Sequence, residues 1–335
     1  MRVPMNWKWL IKRIALAVAT LIVIIIITWA LLEYSPNSPA NYVEQLISPQ
    51  NFATNPQIYV TLENYLNTLK PHGNPFFQSM SFLWNVLHGN MGASIIYSVP
   101  TTQLIAQYLP WTLLVVLTSN VISFLLGTRF GQKLAYWRGN SKDSFFTLLL
   151  AIMRAVPVYI YGAVLLFVLG YVLKVFPVTG GAYIGKPGFN PIFIGSVLYY
   201  AFLPILTLTL VNFAGWVLQM RANTISVLGE DFVNYAEVRG LRRSIVEKKY
   251  IGRNSILPLY TSLIITIAFS FGGVVFIEQT FSYPGIGSLL VSSISNNDYP
   301  VEMGILIIIT AAVIVGNLIA DLTYSFLDPR VKVGE

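Results

Sequence analysis

The sequence predicts an all-α membrane protein of six transmembrane helices. A charged helix-turn-helix loop joins the fourth and fifth, and an outer segment joins the first and second. Composition is the first reason: soluble domains are about 25% charged, whereas only 10% of these 335 residues are Asp, Glu, Lys or Arg, and the mean hydropathy is +0.64. Length is the second: crossing ~30 Å of hydrocarbon takes about 20 apolar residues. Six stretches qualify, near 14–32, 104–128, 145–173, 192–219, 256–281 and 303–327. The third reason is where the basic residues fall.

Of the 21 Lys and Arg, four precede the first span (Arg2, Lys8, Lys12, Arg13) and four lie between spans two and three (Arg129, Lys133, Arg138, Lys142). Seven lie between spans four and five (Arg221, Arg239, Arg242, Arg243, Lys248, Lys249, Arg253), and two follow span six (Arg330, Lys332). The opposite side holds only Lys70, Lys174 and Lys186, and Arg154 falls inside span three. Such a bias puts both termini and the charged loop in the cytoplasm, and six spans give the matching parity. The net charge of +7 is then topological and argues against a nucleic-acid partner.

The elements follow in order. Span one has an apolar run of 19 residues, longer than a signal-peptide core of about 7–15. A retained anchor is therefore expected, with residues 1–33 forming the N-terminus and first helix. The outer segment, 34–103, opens with turn residues and then shows two helical patterns, 58–70 and 76–89. In the second, Phe77, Met80, Trp84 and Leu87 recur at spacings of three and four, the period of one helix face. Residues 104–335 carry spans two to six. Several spans contain Pro, Gly or polar residues, which helices tolerate only where neighbours or a cavity satisfy the freed backbone; this implies a bundle. Arg154, in span three, must face a cavity or pair with an acid, because a charge at mid-bilayer costs at least about 2.5 kcal/mol.

"GGAYIGKP" (180–187) resembles a phosphate loop, but Pro187 replaces the Ser or Thr that holds Mg²⁺, and the charge bias places it outside. Cysteine is absent, which excludes disulfides and thiol chemistry. His72 and His88 have no acid or second His at ligand spacing, so no metal site is expected. Neither H-E-x-x-H, G-x-S-x-G nor a pair of intramembrane aspartates occurs, and nothing else suggests catalysis or a bound cofactor.

The charged loop, about 221–257, reads as more than a connector. Glu230 and Asp231 open "EDFVNYAEVRGL" and Arg239 closes it, the order that suits a helix dipole. Phe232, Ala236 and Gly240 are four apart and share one face, and Gly240 supplies the left-handed turn that ends a helix. A second helical run leads into Pro258 and span five. A plain solvated loop accounts for the same charges, and pattern alone leaves docking open.

The loop's residues also carry a family resemblance. Ala236-x3-Gly240, followed after 15 residues by Ile256-Leu257-Pro258, resembles the "EAA" loop of binding-protein-dependent ABC importer permeases. The long interval is similar to the dipeptide and oligopeptide branch, as is "GEDFVNYAEVRGL". "GNMGASIIYSVPTTQLIAQYLPWTLLV" (89–115), "EQTFSYPGIGSLLVSSISNNDYPVEMG" (278–304) and "NLIADLTYSFLDPRVKVGE" (317–335) resemble further stretches of that branch, in the same order. The loop departs from its namesake at Asn234 and Tyr235, so only the final alanine, Ala236, remains, with Glu237 beside it.

The resemblance implies a non-catalytic permease core that forms half of a transmembrane pathway in the cell membrane. It implies four kinds of partner besides lipid: a second permease subunit, identical or homologous, two cytosolic ATPases and an extracytoplasmic substrate-binding protein. Glu230, Asp231, Ala236, Glu237, Arg239, Gly240 and Leu241 would contact an ATPase, which would drive alternating access with the loop as a lever joined to span five at Pro258. Arg154, Asn212, Glu278 and Asn317 are the pathway candidates. For Arg154 the alternatives are a substrate contact and a salt bridge to Glu278 or Asp321; for Asn212 and Asn317, interhelical hydrogen bonds. Oligopeptides are the expected substrate, with oligosaccharides as the alternative. A secondary transporter would show inverted repeats, which are not evident.

Overall fold

A computed structural model describes residues 7–33, 60, 75–178 and 190–327. The 58–70 pattern (Val60 excepted), the 180–187 loop, His72 and the last basic residues lie outside them. Within the described residues the chain is helical. Five helices are long and apolar enough to cross a membrane, and counting one bent pair as a span gives six. The helices are α1 (Trp7–Glu33), α2 (Pro75–Leu87), α3 (Thr101–Tyr136), α4 (Ser141–Ala155), α5 (Val158–Leu165), α6 (Pro191–Leu228), α7 (Asp231–Val238), α8 (Arg243–Ile245), α9 (Arg253–Thr280), α10 (Ile286–Ser295) and α11 (Tyr299–Leu327). A π-helical turn, Leu166–Val172, continues α5, and another, Val246–Gly252, joins α8 to α9.

Span three is not one straight helix. α4 and α5 meet at a bend of 95°, and Val156-Pro157 is the cause. Proline clashes with a helical residue before it and pushes that residue to an extended backbone; Val156 has φ −77° and ψ 125°. The Tyr161 hydroxyl donates to the carbonyl of Met153 at 2.7 Å, satisfying a group the bend exposes.

The contacts divide the chain into two compact units that do not follow sequence order. One comprises residues 113–283 and 316–327 of the described chain, the other 7–112 and 284–315. In the first, α6 packs along α4, α5 and α9. Lipid removes the hydrophobic drive between helices, so small residues and polar contacts set their approach. Gly127 and Gly131 of α3, four apart, do this against α6. A side chain at Gly127 would bring its Cβ to 2.5 Å from Trp216 Cβ, and one at Gly131 would overlap the Val217 carbonyl. Phe124 then meets Trp216 edge-to-face at 5.1 Å, in a cluster closed by Met220 and Leu259.

In the second unit, α2 lies against α1, burying Leu83 and Val86 with Ile25 and Ile307. Of the stripe read from sequence, Met80 packs against this cluster, while Phe77, Trp84 and Leu87 are more than 60% exposed; Ser79, Leu83 and Val86 are the buried residues. Both stripes are apolar at helical spacing, so periodicity did not distinguish them. Residues 93–100 form a tight loop closed by a bridge between Ala93 and Pro100. The Ser94 hydroxyl donates to Asp298 Oδ2 at 2.5 Å, and the Ile95 amide donates to Oδ1 at 3.1 Å.

Candidate coupling loop and translocation cleft

The charged stretch that begins at Arg221 folds as a small core of its own. α6 continues through it to Leu228, Gly229 turns the chain, and α7 follows. Glu230 is the N-cap residue of α7, Asp231 lies in its first turn and Arg239 is its C-cap, an order that complements the helix dipole. Gly240, at φ +69°, ends the helix. Its amide donates to the Glu237 carbonyl at 2.8 Å and the Leu241 amide to the Ala236 carbonyl at 3.3 Å. These two bonds are the Schellman pair that satisfies a helix's last carbonyls.

The shared face read for Phe232, Ala236 and Gly240 is corrected in one respect. Ala236 is 2% exposed and packs with Val233, Val246 and Ile251, flanked by Leu241 and Tyr136. It forms the floor of the loop and has no surface to offer a partner. The outward stripe is instead Phe232, Tyr235 and Val238, the last 86% exposed. Asp231, Glu237, Arg239 and Gly240 also lie on the surface. Sequence reasoning missed this stripe of Phe232, Tyr235 and Val238, although its steps of three residues are plain in the sequence.

The loop is tied to three long helices. The Gln132 amide of α3 donates to the Glu247 carbonyl at 3.0 Å, the Asn223 amide of α6 donates to the Ser255 carbonyl at 3.2 Å, and the second helical run passes into α9. Pro258 lies inside that helix, so the expected joint there is a continuous rod.

Above the loop in the same unit, α4, α6 and α9 enclose a cleft of about 560 Å³. Arg154 lines it beside Asn212, Gly215, Gln219 and Thr266. The salt-bridge alternative for Arg154 is not realised: among the described residues it has no ion pair. Asn212 makes the interhelical bond, its amide donating to Asn120 Oδ1 at 3.1 Å; the Asn120 amide donates in turn to the Ser270 hydroxyl at 3.0 Å. Asn212 therefore both ties helices and borders the cleft. The other two pathway candidates are elsewhere: Glu278 is fully buried near the end of α9, and Asn317 is exposed on α11. Neither lines the cleft. The described residues hold no cluster that would bind a metal ion.

The described residues, helical and crossing the membrane several times, with a compact charged loop rooted in three of the helices, define a multi-pass membrane protein. The chain belongs to the family described as "Binding-protein-dependent transport system inner membrane component", matched over residues 119–333, and is the permease of an ABC importer. It is 30% identical over 326 residues to the oligopeptide transport system permease protein AppB of Bacillus subtilis (strain 168), covering 97% of this chain and 99% of that protein. It is 28% identical over 327 residues to the dipeptide transport system permease protein DppB of Lactococcus lactis subsp. cremoris (strain MG1363), with the same coverage. To the glutathione transport system permease protein GsiC of Pectobacterium atrosepticum it is 26% identical over 325 residues, 97% of this chain and 99% of that protein.

Proposed function

We propose that this permease carries oligopeptides into the cell as one half of a transmembrane pathway, beside a second, identical or homologous permease. Two cytosolic ATPases power it, and an extracytoplasmic binding protein delivers the substrate. The chain itself hydrolyses nothing. Both termini and the 221–257 loop face the cytoplasm, in keeping with the bias of Lys and Arg; the segment 34–103 lies on the other side, ahead of the core of spans two to six. The full-length likeness to peptide permeases is the observation that carries the substrate.

Coupling runs through α7. Phe232, Tyr235 and Val238 enter a cleft on an ATPase, with Asp231, Glu237 and Arg239 at the rim. Glu230 starts the helix; Ala236, Gly240 and Leu241 hold its shape. Closure of the ATPase pair on ATP moves α7, and the loop's own core transmits the motion to α3, α6 and α9 as a body. A packed bundle responds between discrete arrangements, which is what alternating access requires.

The test is ATP hydrolysis by the complete complex in lipid discs with its binding protein, comparing oligopeptides with oligosaccharides at matched concentration. Stimulation by oligopeptides alone supports the proposal. Stimulation by oligosaccharides alone reassigns the substrate, and a purified complex without nucleotide hydrolysis defeats the coupling scheme.

A further inference from the structure

Resting on that permease reading, we infer that Arg154 is a specificity-determining residue that reads the free carboxylate of a peptide in the cleft of α4, α6 and α9. Arg154 is the one charged residue lining this cleft, and it has no acid partner among the described residues. Its guanidinium is exposed to the cleft, and a cation without a counter-charge there attracts an anion.

The fold creates this position. α4 ends one residue after Arg154, and the chain turns through 95° at Val156-Pro157. The α4 end therefore borders open volume where a continuous helix would have packed. The volume, about 560 Å³, falls in the range that holds a drug-sized ligand, roughly 300–1,000 Å³. The rest of the lining selects for the same chemistry. Asn212, Gln219 and Thr266 are neutral hydrogen-bonding groups, Gly215 leaves room for a main chain, and no carboxylate competes for the guanidinium. Asn212 is anchored through Asn120 and Ser270, so its part of the lining is braced. A planar guanidinium pairs with a carboxylate through two parallel bonds. A C-terminal amide or a neutral sugar offers no such charge.

The test is uptake by the complete importer, with its binding protein, of one tripeptide as the free acid and as the C-terminal amide. Each rate is referred to that peptide's separately measured occupancy of the binding protein. The wild type should favour the free acid by about tenfold, the value of one charge-assisted contact. R154Q should bring the ratio near one by slowing the free acid, and R154K should keep part of the preference. A tripeptide with a photoreactive penultimate residue should label α6 between Val211 and Gln219 in the wild type, a readout that does not depend on how the variants fold. An unchanged ratio in R154Q, equal loss of both peptides, or absence of labelling in that stretch overturns the assignment while leaving the importer in place. A wild type that moves neither peptide overturns the oligopeptide reading as well.

Discussion

Arg221 and Asp143 meet through two bonds of 2.7 Å, Nε to Oδ1 and one terminal nitrogen to Oδ2. The pair joins the first turn of α4 to α6 and sets the register between them. Eleven residues along α4 from Asp143 lies Arg154, and nine residues back along α6 from Arg221 lies Asn212. At ~1.5 Å per residue these are ~16 and ~14 Å, so a fork at one end of an antiparallel pair sets both residues at one cleft. Arg221 belongs to the charged stretch by sequence, yet its side chain serves the bundle.

Loss of this fork should be asymmetric. The Asp143 side chain is 8% exposed and that of Arg221 23%. R221Q leaves a buried carboxylate uncompensated, which costs on the order of 3 kcal/mol. D143N leaves the better-solvated cation and should cost roughly half as much. Thermal unfolding of the purified protein should therefore rank wild type above D143N above R221Q. The double variant should fall by less than the sum of the single losses, and strict additivity would show that the two groups do not act as a pair.

Gly240 is required by its backbone angle, since nothing lies within 4 Å of where a Cβ would stand. G240A should weaken the end of α7 by about 1 kcal/mol through left-handed strain alone. Hydrogen exchange reads this locally: the Leu241 amide, bonded to Ala236, should exchange roughly fivefold faster, while amides in the middle of α6 keep their protection. An unchanged Leu241 amide would mean that the turn tolerates a side chain.

Much of the fold was legible because the bilayer imposes its own length scale, and all six apolar stretches correspond to helices or to the bent pair. Faces were harder to read. In α2 the stripe of Phe77, Trp84 and Leu87 is as apolar as the one that is buried, and without polar contrast periodicity has no sign. The same holds for α7, where Ala236 turns inward because Val246 and Ile251, far along the chain, close over it. The seam of Gly127 and Gly131 was visible as small residues four apart and passed unread. The bend at Val156-Pro157 was carried by one proline within a stretch long enough to span. Arg154 was found because a charge in an apolar run stands out; its lack of an acid partner is a fact of three dimensions.

The inward turn of Ala236 separates two ways of disabling the loop. Val238→Glu places a charge on the outward stripe, where it disturbs only a partner. Stimulated ATP hydrolysis by the complex should fall at least about tenfold, as expected for a residue central to an interface, while the variant inserts and melts as the wild type does. Ala236→Glu forces a carboxylate into the loop's core and should lower stability as well as activity. Equal thermal stability of the two variants would remove the distinction, and normal hydrolysis in Val238→Glu would sink the docking face.

Asp298 supplies a pH dependence whose sign follows from its surroundings. Burial pushes its carboxyl above the ordinary range, against the Ser94 hydroxyl and the amides of Ile95, Ile96 and Val301, which favour the ionised form. A group whose folded pKa is raised binds its proton more tightly in the folded state than in the unfolded one. Its contribution is therefore full below the unfolded value, ~4 for Asp, and is lost as pH rises through the raised folded value. Asp298→Asn keeps an oxygen for the Ile95 amide, and the Ser94 hydroxyl can rotate to accept from the new amide, so the loop 93–100 retains its anchor. Melting temperatures of wild type and Asp298→Asn measured from pH 4 to 8 should thus diverge upward, with the wild type losing ground to the variant as pH rises. A difference that is flat, or that shrinks toward pH 8, would mean that the hydrogen bonds outweigh burial and that the carboxylate is favoured in the folded state.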